Sequence, residues 1–216
     1  MKIMPARART EEAKEMRRDA ILNAALLEFY EKGLTGSRLD DVADRAGISK
    51  GTLYLYFSSK EDLFRGLIDH HTRPAIEQLK SLVGLAPSIE QALNSFAQNA
   101  PTLIQESAMP LMMKVMIGES QMFPDIIRHH RTKIVDQCYA IFVGALEAAQ
   151  ARGEIEIDDP EITARLVFAP FVYCGVWRSV FDPVSDDTLD YEALFRTHVK
   201  MTLRGLNYRS QIGSER

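Results

Sequence analysis

Residues 38–64 read RLDDVADRAGISKGTLYLYFSSKEDLF, and the fold turns on how they are parsed. Leu39, Val42, Ala43 and Ala46 recur at helical spacing, the inner stripe of a short helix. Gly47 stops it, Ile48 can pack inward and Ser49 suits an N-cap. Leu53 and Phe57 then mark the buried side of a second short helix over Lys50–Phe57. Two such helices around a tight turn form a helix-turn-helix, whose second helix is shaped to enter a DNA major groove.

The outward side of that helix carries the chemistry. Tyr54 and Thr52 can donate hydroxyls to phosphate oxygens, which sets register on a duplex. Lys50 can reach either a guanine edge or a phosphate, and Leu55 a thymine methyl group. Gly51 lets the backbone approach base edges, at about 1 kcal/mol of helix stability. Lys60 adds charge at the next helix N-terminus, where backbone N–H groups favour a phosphate. The alternative is a helical hairpin with an ordinary solvated face, which leaves the large bodies of Tyr54 and Leu55 unexplained.

The rest of the chain has helical period. Leu22, Ala25, Leu26 and Phe29 predict a helix from about Glu11 to Lys32, closed by Gly33. Ser58 with Glu61, or Ser59 with Asp62, offers a capping box for a long helix to about Lys80, kinked at Pro74. Ser88 opens another, to about Pro101. Further helices are expected over about 107–117, 124–152, 159–180 (kinked at Pro170) and 189–207. The fragment EIEID at 154–158 is too short to build a sheet. The reading is all-α, about nine helices: a three-helix module over 1–57 and a larger helical bundle over 58–216.

The charge pattern is permissive. The chain of 216 residues has net charge −4. Residues 1–65 hold 12 Lys/Arg against 11 Asp/Glu, and the first 18 residues hold six basic groups against three acidic. This permits a DNA-facing N-terminal end, though a solvated basic tail would look the same. No apolar run of 18 residues predicts a membrane span, and the N-terminus lacks a signal-peptide core. Cys138 and Cys174 have no metal or redox spacing, so a cytoplasmic protein with reduced thiols is expected. Neither His70–His71 nor His129–His130 suits a shared metal, because adjacent side chains on a helix diverge by about 100°. Catalytic signatures such as GxSxG, HExxH or a P-loop are missing, so no enzyme, cofactor or metal is expected.

The string AGISKGTLYLYFSSKEDLF resembles the core signature of the TetR/AcrR family of bacterial transcriptional regulators, over about residues 20–67. The resemblance implies a three-helix DNA-binding domain and a helical C-terminal domain that dimerises and binds a small molecule. It implies DNA contact at Lys50, Gly51, Thr52, Tyr54, Tyr56 and Lys60. The family usually has Thr where Arg38 stands; Ser37 is then the expected cap of the second helix and Arg38 a phosphate contact.

Met109, Met112, Met113 and Met116 share one helical face, followed by Met122 and Phe123. Such a face is either irregular core filling or a soft wall for apolar ligands. The family's middle-helix pocket favours the wall, with Tyr139, Tyr173 and Trp177 completing it and Arg178 or Glu119 as a conceivable anchor. Phe168, Phe171, Val172, Gly175 and Val176, with Leu194, Val199 and Leu203, form stripes that either pack internally or meet a partner. The family's four-helix interface between subunits favours the partner. The expected function is a ligand-responsive repressor, a homodimer on a palindromic operator in double-stranded DNA, released by a small apolar or amphipathic effector.

Overall fold

The computed structural model describes residues 6–209. Part of the basic N-terminal tail, including Lys2, lies outside them. The elements are α1 (Ala6–Gly36), α2 (Leu39–Arg45), α3 (Lys50–Tyr54), α4 (Lys60–Leu79), α5 (Ile89–Glu106), α6 (Met109–Glu119), α7 (Pro124–His130), α8 (Asp136–Ala151), α9 (Pro160–Val180) and α10 (Tyr191–Gly205). Single π turns extend α4 over Lys80–Gly84 and join α7 to α8 over Arg131–Val135. Among the described residues there is no strand; the segment at 154–156 instead exchanges backbone hydrogen bonds with the chain end, Arg209 N to Glu154 O and Glu156 N to Leu206 O.

The sequence punctuation acts where expected, with informative exceptions. Gly33 takes φ +72° and breaks α1 internally. Gly47 takes φ +67° after α2, and Ile48 N reaches back to Ala43 O at 3.0 Å. Ser49 Oγ accepts from Thr52 N, and Ser88 Oγ from Gln91 N. The second capping register is the one used: Ser59 Oγ accepts from Asp62 N, while the Asp62 carboxylate accepts from Ser58 N and Oγ. Ser37 does not cap α2. It is buried, and its hydroxyl donates to Glu28 O and Gly33 O, closing the orphan carbonyls of α1. Arg38 is the N-cap of α2, with no side-chain capping bond. Helix α3 ends at Tyr54, three residues short of Phe57, and α5 runs through Pro101 to Glu106.

Two apolar cores result. The C-terminal one centres on Phe96 of α5, ringed by Phe142, Phe168, Phe171 and Phe195 with centroids 5.1–6.0 Å away. The N-terminal one gathers Leu22, Phe29, Val42, Leu53, Phe57, Leu63, Phe64 and Leu67, with Phe29 and Phe64 edge to face at 5.5 Å. It also takes Met112, Val115 and Met116 from α6 and Ile126 from α7. The helix-turn-helix is therefore built onto the middle of the chain. Lys114 of α6 stands 4.2 Å over the Tyr30 ring, and Glu119 accepts from Thr35 N and Oγ1.

Histidines lie along α4 and α7. His129 Nε2 is 2.8 Å from Asp69, joining the two helices, while His130 is largely buried with Nδ1 unpaired among the described residues. Burial, aided by His129, pushes the His130 imidazole down to about 4. Unfolded, the ring titrates near ~6.5, so the unfolded chain binds more protons between these values and stability falls as pH drops through that window. By pH 5 this loss is about 2 kcal/mol. Urea midpoints at pH 7 and pH 5 test it: His130→Asn should lose much of the wild-type pH dependence, and an unchanged difference would contradict the assignment.

Candidate nucleic-acid interface

Helix α3 sits at the surface because α2 and α4 hold its inner residues. Leu53 and Phe57 are buried, and Gly66 of α4 lies so close to the Phe57 ring that an added Cβ would stand 2.7 Å from it. What remains outward is Gly51, Tyr54 at 47 % exposure and Leu55 at 84 %. A large apolar body so exposed on a short helix is unfavourable in water unless something covers it.

Around Tyr54 the surface forms a shallow cleft of about 370 Å³, lined by Arg38, Asp40, Lys50, Tyr54, Ser59 and Lys60 among others. Four of the eight expected DNA contacts (Arg38, Lys50, Tyr54 and Lys60) thus share one concavity. Gly51 and Leu55 lie on exposed surface of α3 and the turn after it. Thr52 is half-buried, its hydroxyl 2.8 Å from Ser49 Oγ. Tyr56 packs its ring against the N-terminal core. Lys60 Nζ donates to Thr35 O and Ser37 O, which places it at the end of α1.

Asp40 is the member that sequence reasoning missed. Lys50 Nζ lies 2.7 Å from its carboxylate, and Arg38 lies 3.8 Å away. Asp40 raises the Lys50 ammonium above the usual lysine range through that hydrogen bond. The same ammonium stands 5.9 Å from the Tyr54 ring centroid. The signal was an acidic residue in the first turn of α2, which reads from sequence only as a helix-dipole partner. Asp40 thus occupies Lys50, one of the cations expected to meet DNA. Removing its charge should therefore strengthen duplex binding by about 5-fold at low salt. Gel shifts with Asp40→Asn would show this, and weaker binding would mean that Asp40 orients Lys50 productively.

The residues of the expected ligand wall divide between the two cores, with Met109, Tyr139 and Trp177 packed against the C-terminal one. Met112, Met116 and Phe123 belong to the N-terminal core. Met109 and Met113 pack on Gly175 of α9, where an added Cβ would meet Met113 Sδ at 2.7 Å. Met122 is exposed between α6 and α7. Tyr139 stacks edge-on to Phe168 beneath Arg165, and Tyr173, Trp177 and Phe181 run along the end of α9. Glu119 is occupied by Thr35, and Arg178 faces Asp182 at 3.5 Å. Methionine periodicity marks a face that packs against both cores.

The stripes expected at a dimer face divide between the inside and the outside of the chain. Phe168, Gly175 and Val199 are buried within the chain, and Phe171, Val176, Leu194 and Leu203 are half-buried; Val172 is exposed. The outward stripe of α9 is Ile162, Leu166, Ala169, Val172, Tyr173 and Val180, with Val176 at its margin. Periodicity gives the apolar faces but not which is internal.

A second cavity, about 350 Å³, opens between α4 and the π turn at 131–135, lined by Asp69, Thr72, Arg73, Ile76, Glu77, Lys133, Ile134 and Gln137. None of these eight was singled out from sequence. Among the described residues no group of three His, Cys, Asp or Glu is placed to hold a metal ion, and no helix is long and apolar enough to cross a membrane.

The profile described as "Bacterial regulatory proteins, tetR family" matches residues 21–67, and that of "AefR-like transcriptional repressor, C-terminal domain" matches 91–205. The HTH-type transcriptional repressor BepR of Brucella suis biovar 1 is 28% identical over 162 residues, 70% of this chain and 75% of that protein. The HTH-type transcriptional regulator TtgR of Pseudomonas putida is 25% identical over 166 residues, 74% of this chain and 79% of that protein. Among solved structures, NalD of Pseudomonas aeruginosa, a secondary repressor of the MexAB-OprM multidrug efflux pump, superposes with TM-score 0.72 at 20% identity, covering 92% of this chain and 99% of its own. FadR of Bacillus subtilis, in complex with stearoyl-CoA, gives TM-score 0.71 at 21% identity, covering 86% and 97%. With its Tyr54 cleft supported by a helical C-terminal body, the chain belongs to the TetR family of bacterial transcriptional regulators.

Proposed function

We propose that the chain is a dimeric repressor that holds a palindromic operator through two copies of the α3 surface and lets go when a small apolar or amphipathic molecule binds. The observation that carries this reading is the exposed Tyr54–Leu55 surface beside a cleft holding Arg38, Lys50 and Lys60. A helix of five residues reads few base pairs, so specificity needs two of them, and a two-fold dimer is the simplest device. Residues 1–57 would read DNA and 58–216 would pair and respond, in the cytoplasm where the operator lies.

The outward stripe of α9 suits the pairing. Ile162 is 53 % exposed and Leu166 66 %, and Met201 of α10 is exposed too. A repeated apolar stripe on one exposed helix face fits a self-complementary contact. For release, α4 is the natural lever: its first turn carries Lys60 at the DNA cleft, and its middle lines the second cavity. Only an effector that prefers the DNA-incompetent form can shift the balance, and a 100-fold release needs about 2.7 kcal/mol of preference.

Gel shifts across a salt series test the DNA reading. Binding should weaken with salt in proportion to phosphates contacted and keep a large preference over random duplex. Tyr54→Ala should weaken all operators alike, and Lys50→Ala should alter which operator is preferred. Uniform loss on Lys50→Ala would leave it a phosphate contact only. For the pairing, sedimentation should give a dimer for the wild type and a monomer for Leu166→Asp; a dimeric variant would move the interface elsewhere.

A further inference from the structure

We infer that the cleft between α4 and the π turn at 131–135 binds a small amphipathic anion, a molecule with one carboxylate or phosphate head on an apolar body. Its place as the effector site rests on the repressor reading above; the binding itself does not.

The charge pairing selects the ligand. Four charged side chains line the cleft: Asp69, Arg73, Glu77 and Lys133. Both acids already have partners, Asp69 the His129 ring through Nε2 at 2.8 Å and Glu77 the Lys80 ammonium at 2.7 Å. Arg73 and Lys133 have no carboxylate partner among the described residues, and they come from opposite walls. An anionic head between them gains a guanidinium fork and an ammonium together. Ile76 and Ile134 supply apolar surface for the body, and Gln137 adds an amide. Thr72 spends its hydroxyl proton on Ile68 O at 2.6 Å, so its oxygen offers acceptance only.

The walls are also where the helical ladders are interrupted. Pro74 lies inside α4 beside Arg73 and has no N–H to give to the turn before it. The facing wall is a π turn, a rare interruption of an α-helix that is frequent at functional sites. A ligand bridging Arg73 and Lys133 would draw both interrupted segments together. Arg73 lies 13 residues beyond Lys60 on one helix, about 20 Å from the DNA cleft.

Calorimetric titration of the purified full chain without DNA tests the site, with octanoate and octyl phosphate against octanol and octylamine as probes. Both anions should bind with one site per chain, and the neutral and cationic analogues at least tenfold more weakly. Arg73→Gln and Lys133→Gln should each raise the octanoate Kd at least tenfold, while Arg73→Lys recovers part of the loss. No octanoate binding by the wild type, equal binding of octanol or octylamine, or unchanged binding by both Gln variants would overturn the assignment. Operator release is read separately: octanoate bound at this cleft with the operator still held would support the site and contradict the release mechanism.

Discussion

The burial of one face of α4 against α1 is the contact on which the rest depends. Leu63, Phe64, Leu67 and Ile68 are fully buried and meet Phe29 and Leu22 in the N-terminal core. Burying a Leu, Ile or Phe side chain is worth about 1.5–3 kcal/mol, so this seam outweighs any surface charge pair nearby. It fixes where Phe57 lies, hence which way α3 faces, hence that Tyr54 and Leu55 point outward. Because α6 contributes Met112, Val115 and Met116 to the same core, the DNA-facing end and the body are one packed structure. A displacement of α4 or α6 is therefore felt at α3, since close-packed interiors transmit strain.

Electrostatics acts on top of this frame. The DNA-facing cleft carries Asp40 and Glu61 as well as its cations. The free protein thus keeps Lys50 paired with Asp40, and on the proposed function a duplex would exchange that carboxylate for phosphate. Such an exchange favours sites where the geometry rewards it, which suits selectivity better than raw affinity. The net charge of −4 agrees with a protein that concentrates its DNA chemistry in one small face.

Much of this was legible in the residues. Ser49, Ser59, Ser88 and Asp159 cap where their sequence context demands, because a side-chain oxygen beside orphan N–H groups has few alternatives. Gly33 and Gly47 take positive φ where periodicity ends. Ser37 was not legible: two helix ends lie within its reach, and the tertiary fold decides which one it serves. Which face of α9 turns outward was not legible for a related reason. Apolar residues occur almost all round that helix, so Gly175 and Phe168 turn inward and Leu166 outward with nothing in spacing to choose between them. The methionines of α6 admit two readings from sequence, core filling or a ligand wall, and their softness lets them pack against Gly175 and the N-terminal core. The charged cleft was invisible because Arg73 and Lys133 are sixty residues apart, and only folding leaves them facing and unpaired.

Everything in the proposed function requires the outward side of KGTLYLYF to lie against duplex DNA, twice per assembly. A photoreactive phenylalanine analogue placed at Leu55, irradiated on a retained genomic fragment, addresses it directly. Two crosslinks related by the operator dyad, with centres one helical turn or a multiple of about 34 Å apart, are the predicted result. Crosslinking that is absent, or that maps to one unpaired position, would contradict it.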